Sequence, residues 1–241
     1  MLTQNATLLL GALTAQADPE RIARLWVEHH KAELSAKTVT PEQVASARAW
    51  ANVNISLNSA SIENALAEVY GSGWAFGIND AQHDLGMSVA DPWANWHAGN
   101  EGAAALVDAP NGLQALLDSR GLTIQGMNQV TTDRLGGVLA ESLSQGFGAQ
   151  QTADMISGVL SDPARAMVVA RTETARALVE ANVDQYKAEG VTSLEWLVGD
   201  PCDLCAENDG EVVAMGDTFS SGDEYPPAHP NCVCDVAPVT E

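Results

Sequence analysis

All four cysteines of the chain fall in its last quarter, as Cys202-Asp203-Leu204-Cys205 and, after a 23-residue excursion, His229-Pro230-Asn231-Cys232-Val233-Cys234. Two ligands separated by two residues close on one tetrahedral ion without backbone strain, so this layout predicts a structural zinc ion, Zn2+, held between two knuckles. Five candidates compete for four positions. Cys202 and Cys205 form the first chelate and His229 and Cys232 the second, while Cys234 is either the fourth ligand in place of one of these or a spare. The spacing leaves that choice open. It also leaves open two disulfides running between the knuckles, since neither Cys-x2-Cys nor Cys-x-Cys favours an unstrained local bridge.

A catalytic metal fits the pattern less well. Pro201-Cys202-x2-Cys205 resembles the second half of a zinc deaminase signature, yet no His-x-Glu or Cys-x-Glu precedes it to supply the remaining ligand and the proton shuttle. No His-Glu-x-x-His is present either. The expectation is a metal that stabilises a fold and no enzyme activity.

Around the cysteines the apolar residues come in short alternating runs. Leu194, Trp196 and Val198 form one face of a strand, and Val212 to Met215 and Val236-Ala237 make two more. Strands this short bury little area, so a metal ion is physically useful there. The rest of the chain reads as helix. Alanine is abundant, Phe and Tyr are scarce, and 46% of the residues are apolar, a balance that favours helices packed through small side chains. The predicted class is therefore α+β, mainly helical, with a small zinc-stabilised β module at the C-terminus.

Helix punctuation is clear in places. Asp18-Pro19-Glu20 starts a helix expected to run to about Lys37, with His29 at the edge of its apolar stripe and with no metal role expected for His29-His30. Thr40-Pro41-Glu42-Gln43 starts another, with Gln43 completing a capping box. Ile62, Leu66 and Val69 carry a further helix that Gly71-Ser72-Gly73 is expected to end, leaving Gly71 to Asn111 irregular, with Trp74, Phe76, Trp93 and Trp96 plugging a small core. A domain boundary is placed near Gly121, dividing a helical N-terminal region, 1–120, from 121–241. Met127 to Ser144 and Ala149 to Leu160 are helices broken at Gly146-Phe147-Gly148. Ser161-Asp162-Pro163 then caps a long helix that stops at Gly190.

Charge narrows the partners. Eleven Lys and Arg against 32 Asp and Glu give a net charge of −21, and residues 188–241 hold 12 acidic residues and no Lys or Arg. Nucleic-acid binding rests on cations that neutralise phosphates, so such a module is a poor candidate for direct DNA or RNA contact, and a basic protein partner suits it better. The apolar Leu8-Leu9-Leu10 stretch lacks the positive flank of a secretory leader, and no run approaches 18 apolar residues, so neither secretion nor a membrane span is expected.

One arrangement carries a resemblance. The helix holding Ala170-Arg171-Thr172-Glu173-Thr174-Ala175-Arg176, then Gly190, the Trp196 strand, Cys202-x2-Cys205 and Pro226-Pro227-x-His229-Pro230-Asn231-Cys232-x-Cys234 resembles, in order and spacing, the C-terminal domain of the phage Mu F-like head morphogenesis, or minor capsid, family. The resemblance covers roughly residues 121–240. It departs at Val233, where members usually carry a basic residue. It implies that Arg171, Thr172 and Glu173 form a polar anchor joining the helix to the strand and metal module, with Arg176 three residues on as the ion-pair partner of Glu173.

The implied role is a phage minor head protein made in the bacterial host cytoplasm. It would be located in the virion, in the head interior near the portal, with a structural part in head assembly and in DNA packaging or ejection. Portal protein, major capsid protein or scaffolding protein are the implied partners, with packaged DNA contacted only indirectly. Two rival readings stand beside it: a zinc-dependent enzyme or toxin-like effector, and a zinc-ribbon nucleic-acid adaptor, which the acidic module disfavours.

Overall fold

The structure, a computed structural model, describes residues 1–30, 40–88, 111–199 and 203–240. In chain order these form α1 (Leu2–Thr14), α2 (Pro19–His29), α3 (Pro41–Asn54), α4 (Ala60–Asp84), α5 (Asn111–Gln145), α6 (Ala149–Leu160), α7 (Pro163–Ala188), β1 (Ser193–Leu197), the single-turn α8 (Asp203–Ala206), β2 (Val212–Ala214) and β3 (Asp235–Pro238). The class is the expected one, mainly helical with a small antiparallel sheet near the C-terminus. Among the described residues, no helix is long and apolar enough to cross a membrane.

The chain builds two compact units from interleaved stretches. One comprises Met1–Leu9, Asn64–Ser119 and Ala164–Glu241, and the other Leu10–Glu63 and Arg120–Pro163. One division between the units falls between Ser119 and Arg120, next to the boundary placed near Gly121 and within α5.

The second unit is helical. Ile22, Ala23 and Trp26 of α2, Ala47 and Ala51 of α3, Leu135, Leu139 and Leu143 of α5, and Ile156 and Leu160 of α6 make its core. The Trp26 indole N–H donates to Ser142 Oγ at 3.0 Å, so this large ring is buried without an orphaned donor. Asp18 accepts from the Arg21 N–H and Thr40 and Gln43 form the reciprocal capping box, as their spacing predicts. Helix α2 is capped at His30, and the stretch toward Lys37 over which it was expected to continue lies outside the described residues. His30 leaves the helical dihedrals and lays its ring 3.7 Å from Trp26, with Nδ1 donating to the Trp26 carbonyl, so the two histidines belong to an aromatic cluster with Trp50.

In the first unit, the expected helix end at Gly71 is not there, because α4 continues to Asp84 and takes Trp74 and Phe76 with it. The glycines serve packing instead of termination. A Cβ on Gly73 would lie 2.8 Å from Ala177 Cβ, and one on Gly77 would fall on the Leu178 carbonyl oxygen of α7. Only a bare backbone lets these helices approach so closely. Trp93 and Trp96 lie outside the described residues.

Helix α7 ends as predicted before Gly190, whose φ of +82 favours glycine. The three strands follow in the order β2-β1-β3, both pairings antiparallel. Leu194 and Trp196 point to one side of β1 and pack with Val236 against Val179, Val183 and Tyr186 of α7, where Phe219 meets Trp196 edge to face at 4.9 Å.

Candidate metal centre

Three of the five sequence-predicted ligands come together beneath this sheet. Cys205, on the one-turn helix α8, places Sγ 3.1 Å from His229 Nε2 and 3.9 Å from Cys232 Sγ, and the three ligand atoms lie within 4.8 Å of one another. A tetrahedral zinc ion with bonds of about 2.3 Å to sulfur and 2.0–2.1 Å to nitrogen sets its ligand atoms about 3.8 Å apart for two sulfurs and about 3.6 Å for sulfur and nitrogen. The donor set and its spacing therefore suit a metal ion. The sulfur separation is nearly twice a disulfide bond, so Cys205 and Cys232 face each other as thiols.

Histidine chemistry points the same way. His229 Nδ1 lies 2.9 Å from the Pro230 carbonyl. A carbonyl only accepts, so Nδ1 carries the proton and the Nε2 lone pair is left facing the two sulfurs. A Cys–His nucleophile pair would show the same contact, but Cys205 is wholly buried and presents no face to a substrate.

Cys234 immediately precedes β3 and lies outside the trio whose ligand atoms fall within 4.8 Å of one another. Its thiol is buried, and burial pushes its pKa up, opposed by the Gly199 N–H, the Trp196 indole N–H and the Cys205 thiol, which favour the thiolate. Trp196 is itself completely buried, and its indole nitrogen makes no hydrogen bond of good geometry. Cys202 lies outside the described residues.

The expected polar anchor is found at the loop that carries the ligands. Thr172 Oγ1 accepts from the Asn231 N–H at 2.9 Å, and Arg171 Nη1 donates to Asn231 Oδ1 at 3.0 Å, so α7 grips the turn between His229 and Cys232. Asn231 has φ of +66, and the Cys232 N–H closes the turn on the His229 carbonyl. Asn231→Ala should destabilise by roughly 1 to 2 kcal/mol, from the cost of a left-handed alanine and the lost Arg171 contact. Asn231→Gly should cost less, since it keeps the backbone freedom. Thermal melts of the two variants check the order.

Glu173 follows Thr172 directly and is 5% exposed. It accepts from Arg176 Nη1 at 3.2 Å, the ion pair its spacing predicts, and from the Tyr70 hydroxyl at 2.7 Å. Tyr70 carries no sequence signal for this role, because its partner lies 103 residues away. A second brace also escapes the sequence. The buried Asn182 amide donates to Asp80 and Asp235, and the Tyr186 hydroxyl donates to Asp84 at 2.6 Å. Burial, aided by the Asp80 and Asp84 carboxylates, pushes Asp235 up to about 6.

Residues 133–237 match the family model described as Phage Mu protein F like protein. The matched part, somewhat less than half of the chain, contains the Arg171–Glu173 anchor and every candidate ligand. No curated protein and no solved structure matches the chain.

Proposed function

We propose that this chain is a minor head protein of a phage, with a structural part in head morphogenesis. The observation that carries the reading is the coincidence of the Mu F-like match with the Cys205, His229 and Cys232 group, which lies inside it. In this reading Zn2+ is the ion, bound by Cys205, His229, Cys232 and Cys234, with Trp196 and Gly199 supplying donors to the Cys234 sulfur. Cys202 is the alternative fourth ligand in place of Cys234. The ion supplies cross-linking, since strands of five, three and four residues bury too little to hold the ligand loop alone.

The role is structural because the titratable groups of the centre are turned toward one another. Cys205, Cys232 and Cys234 are all buried, and Glu173 is held between Tyr70 and Arg176. The partners that fit are portal, major capsid or scaffolding protein, with the chain placed in the head interior near the portal. DNA is an indirect neighbour, since residues 188–241 carry no Lys or Arg.

Particles made by the phage or prophage that carries the gene provide the test. After gradient purification the chain should sediment with heads, and a Cys205→Ser chain should remain in the soluble fraction. Heads of normal composition and yield made without the chain, with the wild-type chain left entirely soluble, would overturn the reading.

A further inference from the structure

The outer face of the sheet is left unexplained by the metal centre. Because Leu194 and Trp196 point inward, Ser193, Glu195 and Leu197 stand on the opposite side of β1. The register sets Val212 and Ala237 on either side of Glu195, Ala214 beside Ser193 and Asp235 beside Leu197. Val239 follows β3 on the other side of Ser193, donating its N–H to the Ser193 carbonyl. Five of these eight positions are apolar, and Val212, Leu197 and Val239 are 52%, 44% and 37% exposed. The water-facing side of an antiparallel sheet is ordinarily polar, so a face of this composition calls for a cover.

Charge decides what the cover is. Glu195 sits in the middle of the apolar face, Glu211 precedes Val212, and from Ala188 to the end the chain supplies no Lys or Arg to pair with either. A second copy is a poor occupant, since it would set Glu195 against another acidic module on a chain of net charge −21. We propose that this face docks a segment of a partner protein that alternates apolar residues with Lys or Arg. Its apolar side chains cover Val212, Leu197 and Val239, and one of its cations pairs with Glu195. The proposal goes beyond the head-protein reading and depends neither on it nor on the identity of the metal.

The test uses the full chain and two synthetic peptides, one of alternating valine and lysine and one with glutamine in place of each lysine, followed by fluorescence anisotropy. The lysine peptide should bind saturably and the glutamine peptide at least about tenfold more weakly. Val212→Asp separates docking from bulk attraction. It adds a negative charge, so attraction by charge alone would strengthen, whereas docking should weaken by about tenfold or more. Glu195→Lys should abolish binding of the lysine peptide and admit a glutamate counterpart. Both variants should keep the melting temperature and metal content of the wild type, because neither side chain enters the core. Lack of saturable binding, equal binding of the glutamine peptide, or undiminished binding by Val212→Asp would overturn the proposal. So would a wild-type dimer that Val212→Asp dissolves, which would make the occupant a second copy.

Discussion

Cys205→Ser is expected to lower the melting temperature by on the order of 10 °C and to release the ion, with most of the far-UV helical signal retained. The reasoning starts from the centre's position. Cys205 is the one ligand whose contacts to both His229 and Cys232 are fixed, at 3.1 and 3.9 Å, and it is completely buried. A serine hydroxyl is a weak zinc ligand and leaves a polar group facing sulfurs. Binding of a structural zinc contributes on the order of 10 kcal/mol, and a site reduced to weaker ligands forfeits roughly 4 kcal/mol of it. For a chain of this size that corresponds to a shift of about 10 °C. Trp196 reports the loss directly, since it lies beside Cys234 and against Phe219. Its near-UV signal should disappear in the variant and in wild type treated with chelator. The difference from wild type should shrink as pH falls, because protons compete with the wild-type metal for the thiolates and for His229 Nε2. An unchanged melt together with an unchanged Trp196 signal would remove the basis for a metal-held module.

Gly77→Ala is expected to destabilise by about 3 kcal/mol, even though alanine is the better helix former by about 1 kcal/mol. The added methyl would fall on the Leu178 carbonyl oxygen and 2.7 Å from Ala181 Cβ. Neither is the end of a flexible side chain, so the α4 and α7 backbones must part. Parting them disturbs the buried Asn182 and Tyr186 contacts that join the same two helices. Gly137→Ala in α5 is the control, because a Cβ there meets nothing within 4 Å. That variant should be neutral or stabilised by up to about 1 kcal/mol. Chemical denaturation of the pair checks the sign of each change, and a harmless Gly77→Ala would mean that the close approach of α4 to α7 is wrong.

These two sites also show what the sequence made legible. The capping residues at Asp18 and Thr40, the stop at Gly190 and the Glu173–Arg176 pair are local patterns, each decided by residues within a few positions of one another, and all are found in the structure. The glycines of α4 were misleading for a physical reason. Gly71-Ser72-Gly73 is a turn signal in isolation, and only the neighbouring helix, about a hundred residues away, converts it into a packing surface. Tyr70 on Glu173 and Asn182 between Asp80 and Asp235 escaped for the same reason, since a buried hydrogen bond between distant residues leaves no periodicity behind. Cys234 could not be ranked against the other ligands from spacing alone. Its place beside the unpartnered Trp196 indole is a tertiary fact.

Metal content of the purified full chain is the most direct test of the metal-held module. Elemental analysis of protein prepared under reducing conditions, paired with thiol titration before and after chelator in denaturant, should give about one zinc per chain and four thiols in all, of which those that hold the metal become reactive only once it is removed. A chain without metal and without reactive thiols would contradict the account, since its cysteines would then be paired in disulfides.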